Sequence, residues 1–208
     1  MVATLRPGNL DERVVARAVT LLAGGGLVAV PTDSSWSVAC DSGSREGIQR
    51  LKALKPGTVF TPTLVTSNLS QWNEFVALEN REFREVKRWV PGPIVFIFLV
   101  RPGLRNPFGF KRPQLGLRLP IHPVPLALIE ALGRPLFALT ASKHWQKEAE
   151  EEYAEEALFE EARELDDLQG VGLVLDPGEA LPRHLSTVVN WTETDPYLVR
   201  AGSVRWEP

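Results

Sequence analysis

The sequence has one cysteine, one methionine and two tyrosines in 208 residues. A lone thiol, Cys40, excludes an intrachain disulfide, and its place in the apolar run Trp36–Cys40 reads as inert core. Histidine is nearly as scarce: His122, His144 and His184 are scattered, and none sits beside another ligand at zinc spacing. No metal ligands are assigned on that ground. No apolar run approaches the roughly 20 residues that a membrane helix needs. The first residues, Met1 to Pro7, lack the apolar stretch of a signal peptide. A cytoplasmic protein without a membrane partner is the expectation. Excess charge is missing too. With 23 Lys and Arg against 26 Asp and Glu, the net charge of −3 gives no global attraction to nucleic acid.

What is present is enough apolar residue, 44%, to bury one substantial core, so residues 1–208 are read as a single domain. The most informative stretch runs from Gly24 to Ser37. A helix ends on Gly24-Gly25-Gly26, a short apolar strand follows, and it stops at Pro31-Thr32-Asp33 before Ser34, Ser35, Trp36 and Ser37. Strand ends of α/β folds are where ligands bind. Hydroxyls, a carboxylate and an indole gathered at such an end point to a polar pocket with one stacking surface. Pro-Thr-Asp is equally an ordinary turn and cap sequence, and spacing alone leaves both readings open.

Periodicity and punctuation give the elements. Asn9, with Glu12 three residues on, forms a capping box for a helix carrying Val14, Val15, Ala18, Leu21 and Leu22. Strands follow at Leu27–Pro31 and Trp36–Cys40, and Ser44 caps a second helix that ends at Pro56-Gly57. Thr63–Thr66 reads as a strand and Asn68–Trp89 as one or two helices. Pro91-Gly92-Pro93 precedes the strongest strand, Ile94–Val100. Strands at Leu115–Leu119 and Leu136–Ala141 flank a helix over Pro123–Leu132. Lys147–Leu168 reads as a Glu-rich helix with a solvated face, packed through Tyr153, Ala157, Leu158 and Phe159. Strands at Val171–Leu175, Ser186–Trp191 and Tyr197–Arg200 close the chain. Helices alternate with strands early and strands cluster late, which predicts an α/β fold with a mixed sheet flanked by helices. The loop Arg105–Arg112 mixes cations with two phenylalanines, a pattern that serves either nucleic-acid contact or a plain anchored surface loop.

Laid in order, several segments resemble the YrdC/YciO-like family, whose best-known members are threonylcarbamoyl-AMP synthases. The family's Pro-Thr-Asp strand end is matched by Val30–Asp33 with Trp36 and Cys40, and its Leu-Lys helix end by Arg50–Lys55. Trp89-Val90-Pro91-Gly92-Pro93 matches Trp-Pro-Gly-Pro. Leu117-Arg118-Leu119-Pro120-Ile121-His122-Pro123 matches Val-Arg-Val-Pro-x-His-Pro. Ser186-Thr187-Val188-Val189-Asn190 and Arg200-Ala201-Gly202 match the closing segments. The resemblance implies a twisted mixed parallel/antiparallel sheet flanked by helices, with a central positively lined cleft. That cleft would take ATP, with Mg2+ on the nucleotide, L-threonine and bicarbonate, and yield threonylcarbamoyl-AMP and pyrophosphate for the t6A modification of tRNA. By the same resemblance Lys55 and Thr32 are the catalytic candidates, and Thr32, Lys55 and Arg118 hold the amino acid or anionic groups. Thr140, Ser142, Ser186 and Arg200 line the nucleotide side.

The departures place the chain nearer the YciO-like branch. Where synthases carry Lys-x-Arg it has Lys55-Pro56-Gly57, and where they carry Ser-Ala-Asn it has Thr140-Ala141-Ser142. Tyr-Gly has become Trp36-Ser37, a threonine has become Val95, and a terminal aspartate has become Asn190. Losing one well-placed group at a reacting phosphate costs about 3–4 kcal/mol, hence orders of magnitude in rate. Two function classes follow: a nucleotidyltransferase of altered competence, and a non-synthase module that binds double-stranded RNA or tRNA in the same cleft.

Overall fold

The computed structural model describes residues 1–56, 63–102, 114–145 and 155–207. In chain order the elements are β1 (Val2–Thr4), α1 (Glu12–Ala23), β2 (Leu27–Pro31), β3 (Trp36–Asp41), α2 (Arg45–Ala53) and β4 (Thr63–Val65). Next come α3 (Trp72–Phe75), α4 (Asn80–Trp89), β5 (Ile94–Leu99), β6 (Gln114–Arg118), α5 (Pro123–Leu132) and β7 (Leu136–Thr140). β8 (Val171–Asp176), β9 (Thr187–Asn190) and β10 (Tyr197–Arg200) complete them. The described strands form one sheet in the order β1-β8-β2-β3-β7-β4-β6-β5-β9-β10. β2 pairs β3 antiparallel, while β4–β6 and β5–β9 are parallel, so the sheet is mixed as expected.

Side-chain alternation explains why both faces are covered. Leu27, Ala29, Val38, Cys40, Leu64, Leu117 and Phe137 pack with Ile48, Leu51, Trp72 and Val86 from α2, α3 and α4. The residues between them, Val28, Val30, Ala39, Val65, Leu136 and Ala138, pack with Ala18, Leu22, Val124, Leu128 and Ile129 from α1 and α5. The central hairpin β2–β3 is buried on both faces as a result. Cys40 is core, and burial first, then the neighbouring Asp41 charge, pushes its thiol up to about 12. It is inert, as its sequence context predicts.

Four points differ from the sequence reading. The cap of α1 is Asp11, whose carboxylate accepts the Arg13 N–H at 2.8 Å. Asn9 instead closes a turn on the Arg6 carbonyl, because Pro7-Gly8 bends the chain there. The described part of the expected Lys147–Leu168 helix holds only short 3-10 turns, Glu155–Ala157 and Ala162–Leu165. The consecutive residues Ala157, Leu158 and Phe159 are all buried, and a helix cannot turn three consecutive side chains to one face. β1 had no signal, since three residues show no period. The fourth concerns Trp36. Its indole is 1% exposed, packed among the core residues of the α2 face, so it offers no stacking surface. Among the described residues no helix is long and apolar enough to cross a membrane.

Candidate functional site

Alternation fixes which side chains meet. Continuing the pattern of Val28 and Val30 places Thr32 on the α1/α5 face. The same count from Leu117 turns Arg118 to that face, and from Val189 it turns Ser186 there. Three strands lie between β2 and β6 in the sheet, so flat spacing would part them by about 19 Å. Yet Arg118 Nη2 meets Asp33 Oδ1 at 2.6 Å. The sheet therefore curves, and the β2–β3 turn comes over the end of β6 on the concave side.

The turn is built on Thr32. Its Oγ1 accepts the N–H groups of Ser34 and Ser35, both at 3.2 Å, and donates to the Ser35 carbonyl at 2.6 Å. That hydroxyl proton is thus spent inside the turn. Arg118 Nη2 reaches Ser34 Oγ at 3.0 Å and Thr32 Oγ1 at 3.4 Å besides Asp33. Two N–H bonds shared among three acceptors make the Thr32 contact the weakest. Ser34 Oγ lies 3.3 Å from Ser186 Oγ, and the Ser34 carbonyl accepts the His184 N–H at 3.0 Å. The Arg118 carbonyl is held by the Thr66 N–H at 3.0 Å. The turn meets the buried guanidinium directly, the 184–186 segment backs the turn, and Thr66 holds the backbone of Arg118. Burial pulls its pKa down, and the charge and hydrogen bond of Asp33 oppose this. It stays cationic at neutral pH, because arginine starts so far above it.

Of the other candidates, Arg200 donates Nε and Nη2 to the Ser186 carbonyl at 3.2 and 3.0 Å, tying β10 to the pocket wall. Gly202 has a reason of its own: a Cβ there would collide with the Leu185 carbonyl and the Thr187 nitrogen. Thr140 ends β7 opposite Ser37, and its carbonyl accepts the Trp145 indole N–H at 2.9 Å. Ser142 is buried, and its Oγ accepts the His144 N–H at 3.0 Å. Lys55 is half-buried just beyond α2, the helix on the opposite face, with its N–H closed on the Lys52 carbonyl. Gly57 and the Arg105–Arg112 loop, with Lys111, lie outside the described residues. Asn190 caps the turn after β9 by accepting the Thr192 N–H at 2.9 Å, a task an aspartate performs equally.

Sequence reasoning passed over His122. Its Nδ1 accepts the Val124 N–H at 3.3 Å and so caps α5, whose first residue is Pro123. Burial lowers its pKa, while the charges of Asp33 and Glu179 push the other way. A polar residue directly before a helix-opening proline was the available signal. Among the described residues no three His, Cys, Asp or Glu form a metal cage. The pocket is a place for hydrogen bonds and charge, with one arginine already engaged.

Comparison with known proteins agrees with this fold. The Sua5/YciO/YrdC family model, described as telomere recombination, matches residues 20–202. YciO of Escherichia coli is 30% identical over 206 residues, 95% of this chain and 93% of that protein. Its crystal structure superposes with a TM-score of 0.83, covering 98% of this chain and 96% of that one. A threonylcarbamoyl-AMP synthase of Klebsiella pneumoniae is 29% identical over 138 residues, 64% of this chain and 73% of the enzyme. Sua5 of P. abyssi, crystallised with L-threonine, shares the fold at a TM-score of 0.79 and 21% identity. That match spans 97% of this chain and 57% of the other.

Proposed function

Because the chain belongs to the Sua5/YciO/YrdC family, we propose that it forms threonylcarbamoyl-AMP and pyrophosphate from ATP, L-threonine and bicarbonate. The observation that carries this reading is the buried Arg118 guanidinium, which donates to Asp33, Ser34 and Thr32, with Ser186 next to Ser34, at the mouth of the curved sheet. Family relatives with the synthase name, and a Sua5 crystallised with L-threonine, support the substrate class.

The chemistry needs positioning more than a nucleophile from the protein. The threonine nitrogen bonds to the bicarbonate carbon and water leaves, giving a carbamate. A carbamate oxygen then bonds to the α-phosphorus of ATP, and the bond to the β-phosphate oxygen breaks to release pyrophosphate. Arg118 and Lys55 hold the anionic groups of the amino acid and the carbamate, with Thr32 beside them. Thr140, Ser142, Ser186 and Arg200 serve the nucleotide, and Mg2+ travels with the triphosphate. The product would serve the t6A modification of tRNA.

Pyrophosphate release from ATP in the presence of L-threonine and bicarbonate tests this. Lys55→Ala is expected to lower the rate by roughly 10²-fold, the usual effect of removing one charge-stabilising group. Release that is absent, or indifferent to that substitution, overturns the reading. Salt-dependent binding of structured RNA without such release would identify the RNA-binding alternative instead.

A further inference from the structure

Three buried polar atoms in this pocket have no hydrogen-bond partner: Asp33 Oδ2, Arg118 Nε and His122 Nε2. They belong to one group of residues. Asp33 reaches Arg118 through its other oxygen, and Asp33 and Glu179 are the acidic groups whose charge bears on His122. A buried acceptor or donor left unused costs free energy. Three such atoms in one cluster call for a second arrangement in which they are used.

His122 is prepared for that arrangement. Its Nδ1 is occupied as an acceptor from Val124 N–H, so the neutral ring carries its proton on Nε2, on the side away from α5. The side chain is nine-tenths buried. Around the ring the charged groups are Asp33 from the β2–β3 turn, Glu179 from the segment after β8, and Arg118 at the end of β6, through Asp33. The first turn of α5 contributes none.

We propose that His122 is a positioning residue for Arg118, taking over the Asp33 carboxylate when an anionic ligand group draws the guanidinium away. The part of this that involves a ligand rests on Arg118 meeting the substrate's anionic end, as in the proposed function. In the empty pocket Asp33 neutralises Arg118. A ligand carboxylate that accepts from Nη2 repels Asp33 and would leave it buried without a counter-charge. The His122 N–H supplies a hydrogen bond, and a proton taken from solvent onto Nδ1, which gives up the bond it accepts from the Val124 N–H, supplies the charge. One anion enters, one proton enters, and the net charge of the pocket is conserved.

The ligand-free half is tested by NMR titration of the His122 ring in the full chain. Arg118→Met should hand Asp33 to His122 and raise its midpoint by about one unit or more, tenfold in proton affinity. Asp33→Asn, which is isosteric, should lower the midpoint. A midpoint unmoved by Asp33→Asn overturns the proposal even where Arg118→Met fails to fold. The ligand half is read by calorimetry with L-threonine in two buffers of different ionisation enthalpy. Proton uptake on binding that disappears in His122→Gln supports the proposal, and binding without uptake overturns it. Absence of L-threonine binding counts against the proposed function alone, since the ligand-free titration decides the His122–Asp33 couple.

Discussion

The β2–β3 hairpin carries an aspartate at each end, Asp41 buried and Asp33 with its side chain 12% exposed, and each meets an arginine, but the two pairs are built on opposite plans. At one end Asp41 uses both oxygens: Oδ1 accepts from Arg134 Nε at 2.6 Å and from Gly43 N at 2.7 Å, and Oδ2 accepts from Nη2 at 2.7 Å. The carboxylate is 1% exposed, whereas the arginine side chain is 48% exposed, its charge half in water. At the other end Asp33 uses one oxygen, and Arg118, 7% exposed, leaves its Nε unused. A pair complete on every atom has no reason to move, and it staples the Arg134 turn to the hairpin. A buried pair with atoms in reserve is poised to change partners. Position in the fold agrees, because the incomplete pair lies where four segments converge and the complete one lies at the far end of the hairpin.

The largest effect should come from breaking the incomplete pair. Arg118→Met leaves Asp33 buried and uncompensated, and chemical denaturation should show a loss of about 3–5 kcal/mol. Removing both charges, as Asp33→Leu with Arg118→Met, should recover most of that loss, because two desolvated charges disappear together. The double variant should also lose L-threonine binding. A double variant no more stable than Arg118→Met would show that the pocket depends on these charges for its shape, and the contrast between the two pairs would fail.

A smaller loss is expected at the complete pair. Arg134→Met removes the fork from Asp41, but the Gly43 N–H remains, and water can enter where the half-exposed arginine stood. The expected cost is about 1–3 kcal/mol, with ligand binding unchanged. Equal losses at Arg118 and Arg134 would remove the distinction drawn from their burial.

Much of this was legible from residue patterns. Ser44 caps α2 through the Gly47 N–H at 3.1 Å, and Pro123 opens α5 where the turn signals put it. Local rules suffice there, because cap and proline act within four residues. Thr32, Arg118 and Ser186 were marked as site residues and are indeed gathered. Their contact with Asp33 and Ser34 was not legible, since it depends on curvature accumulated over five strands. Trp36 was misread for the same reason: an indole beside hydroxyls in sequence stands on the opposite face of the sheet. The Glu-rich segment misled by composition, because glutamate's helix propensity gave way to the burial of Ala157, Leu158 and Phe159.

A third ion pair sets the exposed limit of the series. Lys143 donates to Glu164 Oε1 at 2.8 Å with both side chains about one-third exposed. Glu164 Oε2 also accepts the backbone N–H groups of Glu160 and Glu161, at 2.7 and 3.0 Å. Burial alone would raise the Glu164 pKa, but the Lys143 hydrogen bond, the two backbone N–H bonds and the Lys143 charge outweigh it and hold it at about 2. A carboxylate depressed in the folded state contributes stability that is fully present above its unfolded value near 4.5. That contribution fades as pH falls toward 2. Solvent screening keeps it small, on the order of 1 kcal/mol. Glu164→Gln should therefore lower stability by that amount at pH 7, and the difference from the parent protein should shrink steadily below pH 4.5. A difference that persists at pH 2.5 would assign the effect to the backbone cap rather than to charge. Such a result would set this exposed pair apart from the two hairpin pairs, whose carboxylates are far less exposed.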